Sequence, residues 1–284
     1  TASGPEPLRE MFDGIDRVLK NQIDPYLAPI ETDEKGYGRV RPIHILDIGN
    51  LIGNNVVVGG VRRTAEIFLF DPDDYESMFA KYGINGLWGV EGFERHREIG
   101  HLMDHLGIEK PAWWDKLAEH YYALKRDPMD FDETPVYVKH GDDETLERLK
   151  NEGYTVISDL CNPGRPYDHR RMSNNSIVFE RKPSRQFLNF VFAMMRFEGE
   201  PGFVNLEEAN RRRPNAKGVN PCAEILLDSY GVCNLTTVNV TQFVRDGKID
   251  WLALLKAQRR SVRAALRMTL AELELPHWNA IQQR

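Results

Sequence analysis

An amide, a thiol and a carboxylate fall on alternate positions in Asn220-Pro221-Cys222-Ala223-Glu224, and a second thiol, Cys233, follows downstream. In an extended or turning backbone, residues two apart share a side. Asn220 can then hold a substrate hydroxyl or carbonyl, Glu224 can move a proton, and Cys222 can act as nucleophile or radical carrier. Cys233, at the head of an apparent strand, can serve as a second redox partner. The same spacing fits two small buried cysteines flanking a turn, so spacing alone leaves both readings open. A cysteine hydrolase built on Cys222 is a weaker third reading. It lacks a histidine close in sequence, although a distant one such as His169 can approach in space.

Other clusters compete for a role. Gly59-Gly60-Val61-Arg62-Arg63 joins two glycines, which permit close approach, to two arginines, which can contact phosphate or stack on a base; a solvated loop is the plain alternative. Ser173, Asn174, Asn175 and Ser176 are four small hydrogen-bonding side chains in a row, either a polar turn or the lining of a substrate pocket. Arg211, Arg212 and Arg213 read as a solvated basic patch. His101 and His105 share a helical face, but no third ligand is evident, so no metal site is expected. Trp113, Trp114, Tyr121 and Tyr122 read as core. Cys161 reads as structural. No P-loop, dinucleotide fingerprint or Cys-x-x-Cys pair occurs.

The elements that position these residues follow from periodicity. Residues 5–20 read as an amphipathic helix with Leu8, Met11, Ile15 and Val18 on one stripe, capped by Ser3 or Gly4. Ile43–Ile48, Asn55–Val58 and Ala65–Phe70 read as strands. A helix follows Asp71-Pro72-Asp73, and the polar end of 84–110 is helical. Pro111 begins a helix with Trp114, Leu117, Tyr121 and Leu124 on one face. Val136–Lys139, Tyr154–Ser158, Ser176–Phe179, Gly202–Leu206 and Leu235–Val240 read as strands. Asp142–Asn151 is a helix stopped by Gly153. Ser184 caps another, and Asp250 caps a long one reaching about Leu273. Alternation of strands and helices indicates an α/β architecture.

Composition bounds the rest. The chain has 284 residues, 41% of them hydrophobic, and a net charge of -6, enough apolar mass for one large domain or two small ones. A pI near 5.8 argues against a chain that coats nucleic acid by charge. Its apolar runs are too short to span a bilayer. Three cysteines make no disulfide scaffold and point to a reducing, cytoplasmic setting. The chain opens on Thr1 and stops at Arg284 without tail character, as a piece of a longer polypeptide would.

The cluster at 220–225, Asn-Pro-Cys-Ala-Glu-Ile, resembles the finger-loop motif of ribonucleotide reductase large subunits. Glu200-Pro201-Gly202-Phe203-Val204-Asn205 precedes it and Gly231-Val232-Cys233-Asn234-Leu235 follows it, as in that family. Arg171-Met172-Ser173-Asn174-Asn175-Ser176, the segment from Gly59 to Glu66, and Thr1–Pro5 are also similar to family segments. The ending Trp278–Arg284 looks most like the monomeric, adenosylcobalamin-dependent (class II) triphosphate reductases. The resemblance runs in order along nearly the whole chain.

This resemblance implies a ten-stranded α/β barrel, present here in part, with a finger loop through its centre. It implies a thiyl radical on Cys222 that abstracts the ribose 3′ hydrogen, with Glu224 as base, Asn220 on the ribose hydroxyls and Cys233 as one of two reducing thiols. A barrel interior would seal Cys222 from water. Ser173 to Ser176 would support the substrate pocket. Gly59, Gly60, Arg62 and Arg63 would form a specificity loop between a deoxynucleoside triphosphate effector and a ribonucleoside triphosphate substrate. Residues 1–66 would be the effector side, with a dimer-replacing insertion around 21–50. Residues 154–284 would hold the pocket, finger loop and start of the second half-barrel. Adenosylcobalamin, sited largely outside this chain, would generate the radical, and a thioredoxin-type protein would be the reductant. The thiol partner of Cys233 would lie upstream of Thr1, so the chain alone is expected to be inactive and poorly stable. A class I subunit with a separate radical-generating partner and a non-catalytic nucleotide-binding remnant are the alternatives.

Overall fold

The computed structural model describes residues 5–24, 26–56, 65–84, 89–115, 121–130, 132–139, 141–159, 168–272 and 274–282. The chain divides into two compact units, residues 1–207 and 208–284.

The first unit is organised by a parallel three-stranded sheet in the order β1 (Glu66–Phe70), β5 (Ser173–Phe179), β6 (Gly202–Asn205). Glu66 pairs with Ser173, and Ser176 with Gly202. The central strand β5 buries residues along most of its length, as expected where both faces are covered. Ile177 and Phe179 join Phe70, Phe190 and Met194 in the main core, each such side chain contributing about 1.5–3 kcal/mol by leaving water.

Helices cover the sheet. The helix α1 (Pro5–Leu19) packs on α2 (Pro42–Asn55). The short α3 (Tyr75–Met78) is capped by Asp74, which accepts from the Ser77 amide at 3.1 Å. The longer α4 (Gly89–Leu106) packs on α6 (Arg185–Glu198). Ser184 caps α6 by accepting from the Phe187 amide at 3.1 Å, a bond worth about 1 kcal/mol. Gly199 closes the same helix at φ 78, where glycine avoids a Cβ clash.

A smaller antiparallel sheet in the order β3 (Val136–Lys139), β2 (Tyr121–Lys125), β4 (Thr155–Asp159) carries α5 (Asp143–Asn151). Leu124, Val138, Leu146 and Leu149 form its own core.

The chain enters the second unit through α7 (Leu206–Arg212). That unit contains two short antiparallel ladders, β7 (Gly218–Val219) with β8 (Leu226–Leu227) and β9 (Val244–Arg245) with β10 (Lys248–Ile249). Two helices follow, α8 (Trp251–Met268) and α9 (Pro276–Gln282). Asp250 caps α8, accepting from the Ala253 amide at 3.0 Å.

Several expectations are corrected. Ile43–Ile48 is helical, not a strand. Its buried positions Ile43, His44, Leu46, Asp47, Asn50 and Gly53 follow helical spacing, but three of them, His44, Asp47 and Asn50, are polar, so an apolar pattern misses them. Tyr121 and Leu124 lie in β2, not on a helix from Pro111; helical spacing there joined two different elements. Leu235–Val240 pairs with no strand among the described residues, and Leu235 is 84% exposed; without a ladder, strand propensity forms no strand. The α8 helix stops at Met268 rather than near Leu273. The α/β character holds, but the described strands make four separate small sheets and no closed barrel. The suggested caps Ser3 and Gly4 lie outside the described residues.

Candidate functional site

In the second unit a hairpin turn gathers the thiol cluster. The β7–β8 ladder pairs Val219 with Leu226. Beyond it, the Asn220 amide donates to the Ile225 carbonyl at 3.1 Å, and the Ile225 amide donates to Asn220 Oδ1 at 3.0 Å. The Ala223 amide donates to the Asn220 carbonyl at 2.8 Å, and Ala223 itself sits at φ 63. Pro221 suits this bend because it has no amide to place. The result is a loop whose tip carries Cys222, with Glu224 two residues on.

The three residues do not face one way. Asn220 is 6% exposed, whereas Cys222 and Glu224 are exposed. The expectation of a Cys222 sealed from water therefore fails for this chain. A four-residue tip with no described cover leaves its side chains in solvent. Asn220 spends its oxygen on closing the turn, and its Nδ2 lies 4.0 Å from the sulfur of half-buried Cys233. The amide thus links the loop that carries Cys222 to the segment that carries Cys233. Arg213 anchors the same hairpin by donating to the Leu226 carbonyl at 2.6 Å.

In the first unit, the polar row at the start of β5 is strand, not turn. Ser173, Asn175 and Ser176 are buried, and Asn174 is exposed. Ser173 Oγ donates to Asn175 Oδ1 at 2.8 Å and accepts from Asn50 Nδ2 at 2.9 Å. The Ser173 amide donates to Asn50 Oδ1 at 2.8 Å, and its carbonyl accepts from Lys81 Nζ. Lys81 also pairs with Glu200 at 2.8 Å. Lys81, Tyr82, Asn175 and Glu200 help line a cavity of about 10 Å³, room for about one water. These side chains fix the strand's N-terminal end; Asn174 is the exposed member of the row.

Sequence reasoning missed the charged cluster beneath this row. Arg170 is fully buried; its Nε and Nη2 donate to Asp47 at 2.6 and 2.8 Å, and its Nη1 to Asp24 at 3.2 Å and to the Ala80 carbonyl at 2.9 Å. His169 Nε2 lies 2.7 Å from Asp47. Burial pushes the Asp47 carboxyl up, but Arg170 and His169 outweigh it and hold the group at about 2. The signal was present: Asp47 and Asn50 stand one turn apart on the buried stripe of α2. A Cβ at Gly53 would collide with the Glu66 carboxylate, so glycine there brings α2 against β1. His169 is engaged with Asp47, which weighs against it as the base of a cysteine hydrolase.

The remaining candidates separate cleanly. Gly59, Gly60, Arg62, Arg63 and Cys161 lie outside the described residues. Arg211 and Arg212 are exposed and pair with Glu208 at 2.7 Å, the solvated patch expected. His101 and His105 are exposed, and no group of three metal-ligating side chains occurs among the described residues. Trp113 and Trp114 are core, as expected. No helix among the described residues is long and apolar enough to cross a membrane.

Comparison with known proteins gives this geometry a context. The profile of the ribonucleotide reductase barrel domain matches residues 142–275. The adenosylcobalamin-dependent ribonucleoside-triphosphate reductase of Lactobacillus acidophilus is 40% identical over 251 residues, covering 84% of this chain and 21% of the relative. The reductase of the same name from Lacticaseibacillus paracasei is 25% identical over 285 residues, covering 96% of this chain and 25% of the relative. A Mycobacterium phage D29 protein named for the same activity is 24% identical over 291 residues, covering the whole chain and 32% of the relative. The chain thus spans a third or less of the length of these curated relatives. No solved structure matches it significantly.

Proposed function

We propose, from the match of residues 142–275 to the ribonucleotide reductase barrel domain, that the chain is part of the catalytic polypeptide of an adenosylcobalamin-dependent ribonucleoside-triphosphate reductase. The observation that carries this reading is the Asn220 hairpin. It puts Cys222 on a loop tip, Glu224 beside it in sequence, and the Asn220 amide against the Cys233 sulfur.

In the proposed reaction the cofactor supplies the radical. Cys222, as a thiyl radical, takes the 3′ hydrogen of the ribose; Glu224 accepts the proton of the 3′-hydroxyl; Asn220 orients the hydroxyls. The C2′–oxygen bond breaks, the oxygen leaves as water, and Cys233 with a second thiol supplies two electrons and ends as a disulfide. The hydrogen then returns from Cys222 to C3′. Asn174 and its neighbours support the substrate. Gly59, Gly60, Arg62 and Arg63 form the loop that reports a deoxynucleoside triphosphate effector, with residues 1–66 on the effector side. A thioredoxin-type protein resets the thiols in the cytoplasm. Residues 154–284 supply part of a ten-stranded barrel.

Exposure of Cys222 and Glu224 sets a condition on this reading. A thiyl radical in contact with water and solutes is quenched, so turnover requires further polypeptide to cover the loop. The 284-residue chain alone is therefore inactive. The same exposure favours a second reading, a nucleotide-binding chain without catalysis. The two are separated by assaying a complete parent polypeptide with adenosylcobalamin, a ribonucleoside triphosphate and a dithiol. Cofactor-dependent formation of deoxynucleotide is expected; nucleotide binding without turnover leaves only the second reading.

A further inference from the structure

The core of the first unit holds a hydrogen-bonded pair that the proposed reaction does not use. Tyr82 is 2% exposed and His96 4%. The Tyr82 hydroxyl lies 2.9 Å from His96 Nδ1. Burial lowers His96 to about 4, against a hydrogen bond to the Trp114 backbone that raises it. A backbone bond raises an imidazole pKa when the ring N–H donates to a carbonyl. At neutral pH the ring is therefore uncharged, with one nitrogen engaged as donor to Trp114. Nδ1 is left to accept the phenol proton.

Two indoles pack on this pair. His96 stacks on Trp114 with ring centroids 4.0 Å apart and planes 20° apart. Trp114 lies 5.1 Å from the Tyr82 ring, and Trp113 lies 5.7 Å from it. A buried phenol needs a hydrogen-bond partner for stability alone, and any carbonyl would meet that need. Here the partner is a neutral base, and the two neighbouring rings are indoles, themselves readily oxidised.

We propose that Tyr82, with His96 as its base and Trp113 and Trp114 as neighbours, is a redox site: a buried one-electron donor to a strong oxidant. The oxidant is a protein- or cofactor-centred radical in the cell and a photogenerated tris(bipyridine)ruthenium(III) complex in the test. It gains one electron. The Tyr82 O–H bond breaks and an N–H bond forms at His96 Nδ1, leaving a neutral phenoxyl radical and an imidazolium. A one-electron reductant such as ascorbate restores the phenolate oxygen's electron, and the proton returns along the same hydrogen bond. The local transfer matters because both side chains are buried, and the existing hydrogen bond gives the phenol's proton a base at 2.9 Å. The site is independent of the reductase reading, since it concerns the first unit's core and not Cys222.

The test is flash-quench photo-oxidation of the 284-residue chain, read by freeze-quench electron paramagnetic resonance. A neutral tyrosyl radical is expected in the wild type. It is lost in Tyr82→Phe, and in His96→Gln, which keeps an acceptor but no base, it is lost or replaced by an indole radical. Circular dichroism confirms that each variant folds. Should one fail to fold, wild-type protein with nitrogen-15 histidine decides: the radical must show a histidine nitrogen coupling, and a radical without that coupling overturns the proposal. An undiminished tyrosyl signal in Tyr82→Phe, or indole-centred radicals alone in the wild type, also overturns it.

Discussion

Replacing Asp47 with asparagine tests whether the buried charge cluster holds the first unit together. Asp47 is 0% exposed and faces two Arg170 nitrogens at 2.6 and 2.8 Å and His169 Nε2 at 2.7 Å. Asparagine removes the charge and turns one acceptor into a donor aimed at the guanidinium. Arg170 then keeps Asp24, at 3.2 Å, as a charged partner. Breaking such a buried pair from one side destabilises by about 3–5 kcal/mol, which for a unit of this size is roughly a 10 °C fall in melting temperature. Protonating Asp47 is milder, because the acid keeps its shape. A carboxyl lowered from 3.8 to about 2 contributes about 2 kcal/mol, present above pH 4 and lost as pH falls through 2. Urea unfolding followed by the fluorescence of Trp113 and Trp114 measures the first quantity. A loss under about 1 kcal/mol in Asp47→Asn would refute the argument that this cluster is tightly coupled. So would an equal loss when Arg170→Met is already present, since partners in one network do not add.

The other predictions concern single side chains. His96 is lowered by burial from 6.5 to about 4, so the unfolded chain binds more protons in that window and stability rises with pH through it. The gain is about 3 kcal/mol, complete above pH 6.5 and lost as pH falls through 4. His44, also lowered, by burial first, adds in the same direction. Urea midpoints at pH 4.5 and 7 should differ accordingly, and the difference should shrink in His96→Gln. Asn220→Ala removes the acceptor of the Ile225 amide and should loosen the hairpin by about 1–3 kcal/mol, read as faster hydrogen exchange at that amide; unchanged exchange would show that the side chain does not close the turn.

Local signals in the sequence carried much of the fold. The helix caps Ser184 and Asp250 were legible because a short polar side chain before an apolar period has one common use. β3 was legible for the same kind of reason, a short β-branched run between turn residues. The α2 helix was not, since its buried face carries Asp47 and Asn50, whose partners Arg170 and Ser173 lie far along the chain. Pattern reading counts apolar residues and cannot see a polar residue that is buried because a distant one satisfies it. The same blindness applied to the Ser173–Ser176 row, whose polarity suggested a turn although three of its members are buried in a strand. At the candidate site, the loop that carries Cys222 was legible from the resemblance to the finger-loop motif. Its exposure was not, because shielding depends on what packs over the loop rather than on the loop itself.

The central claim is that the sulfur of Cys222 carries the reaction. In a complete parent polypeptide supplied with adenosylcobalamin, ribonucleoside triphosphate and dithiol, Cys222→Ser should abolish deoxynucleotide formation while leaving nucleotide binding intact. Turnover by that variant at the wild-type rate would contradict the account.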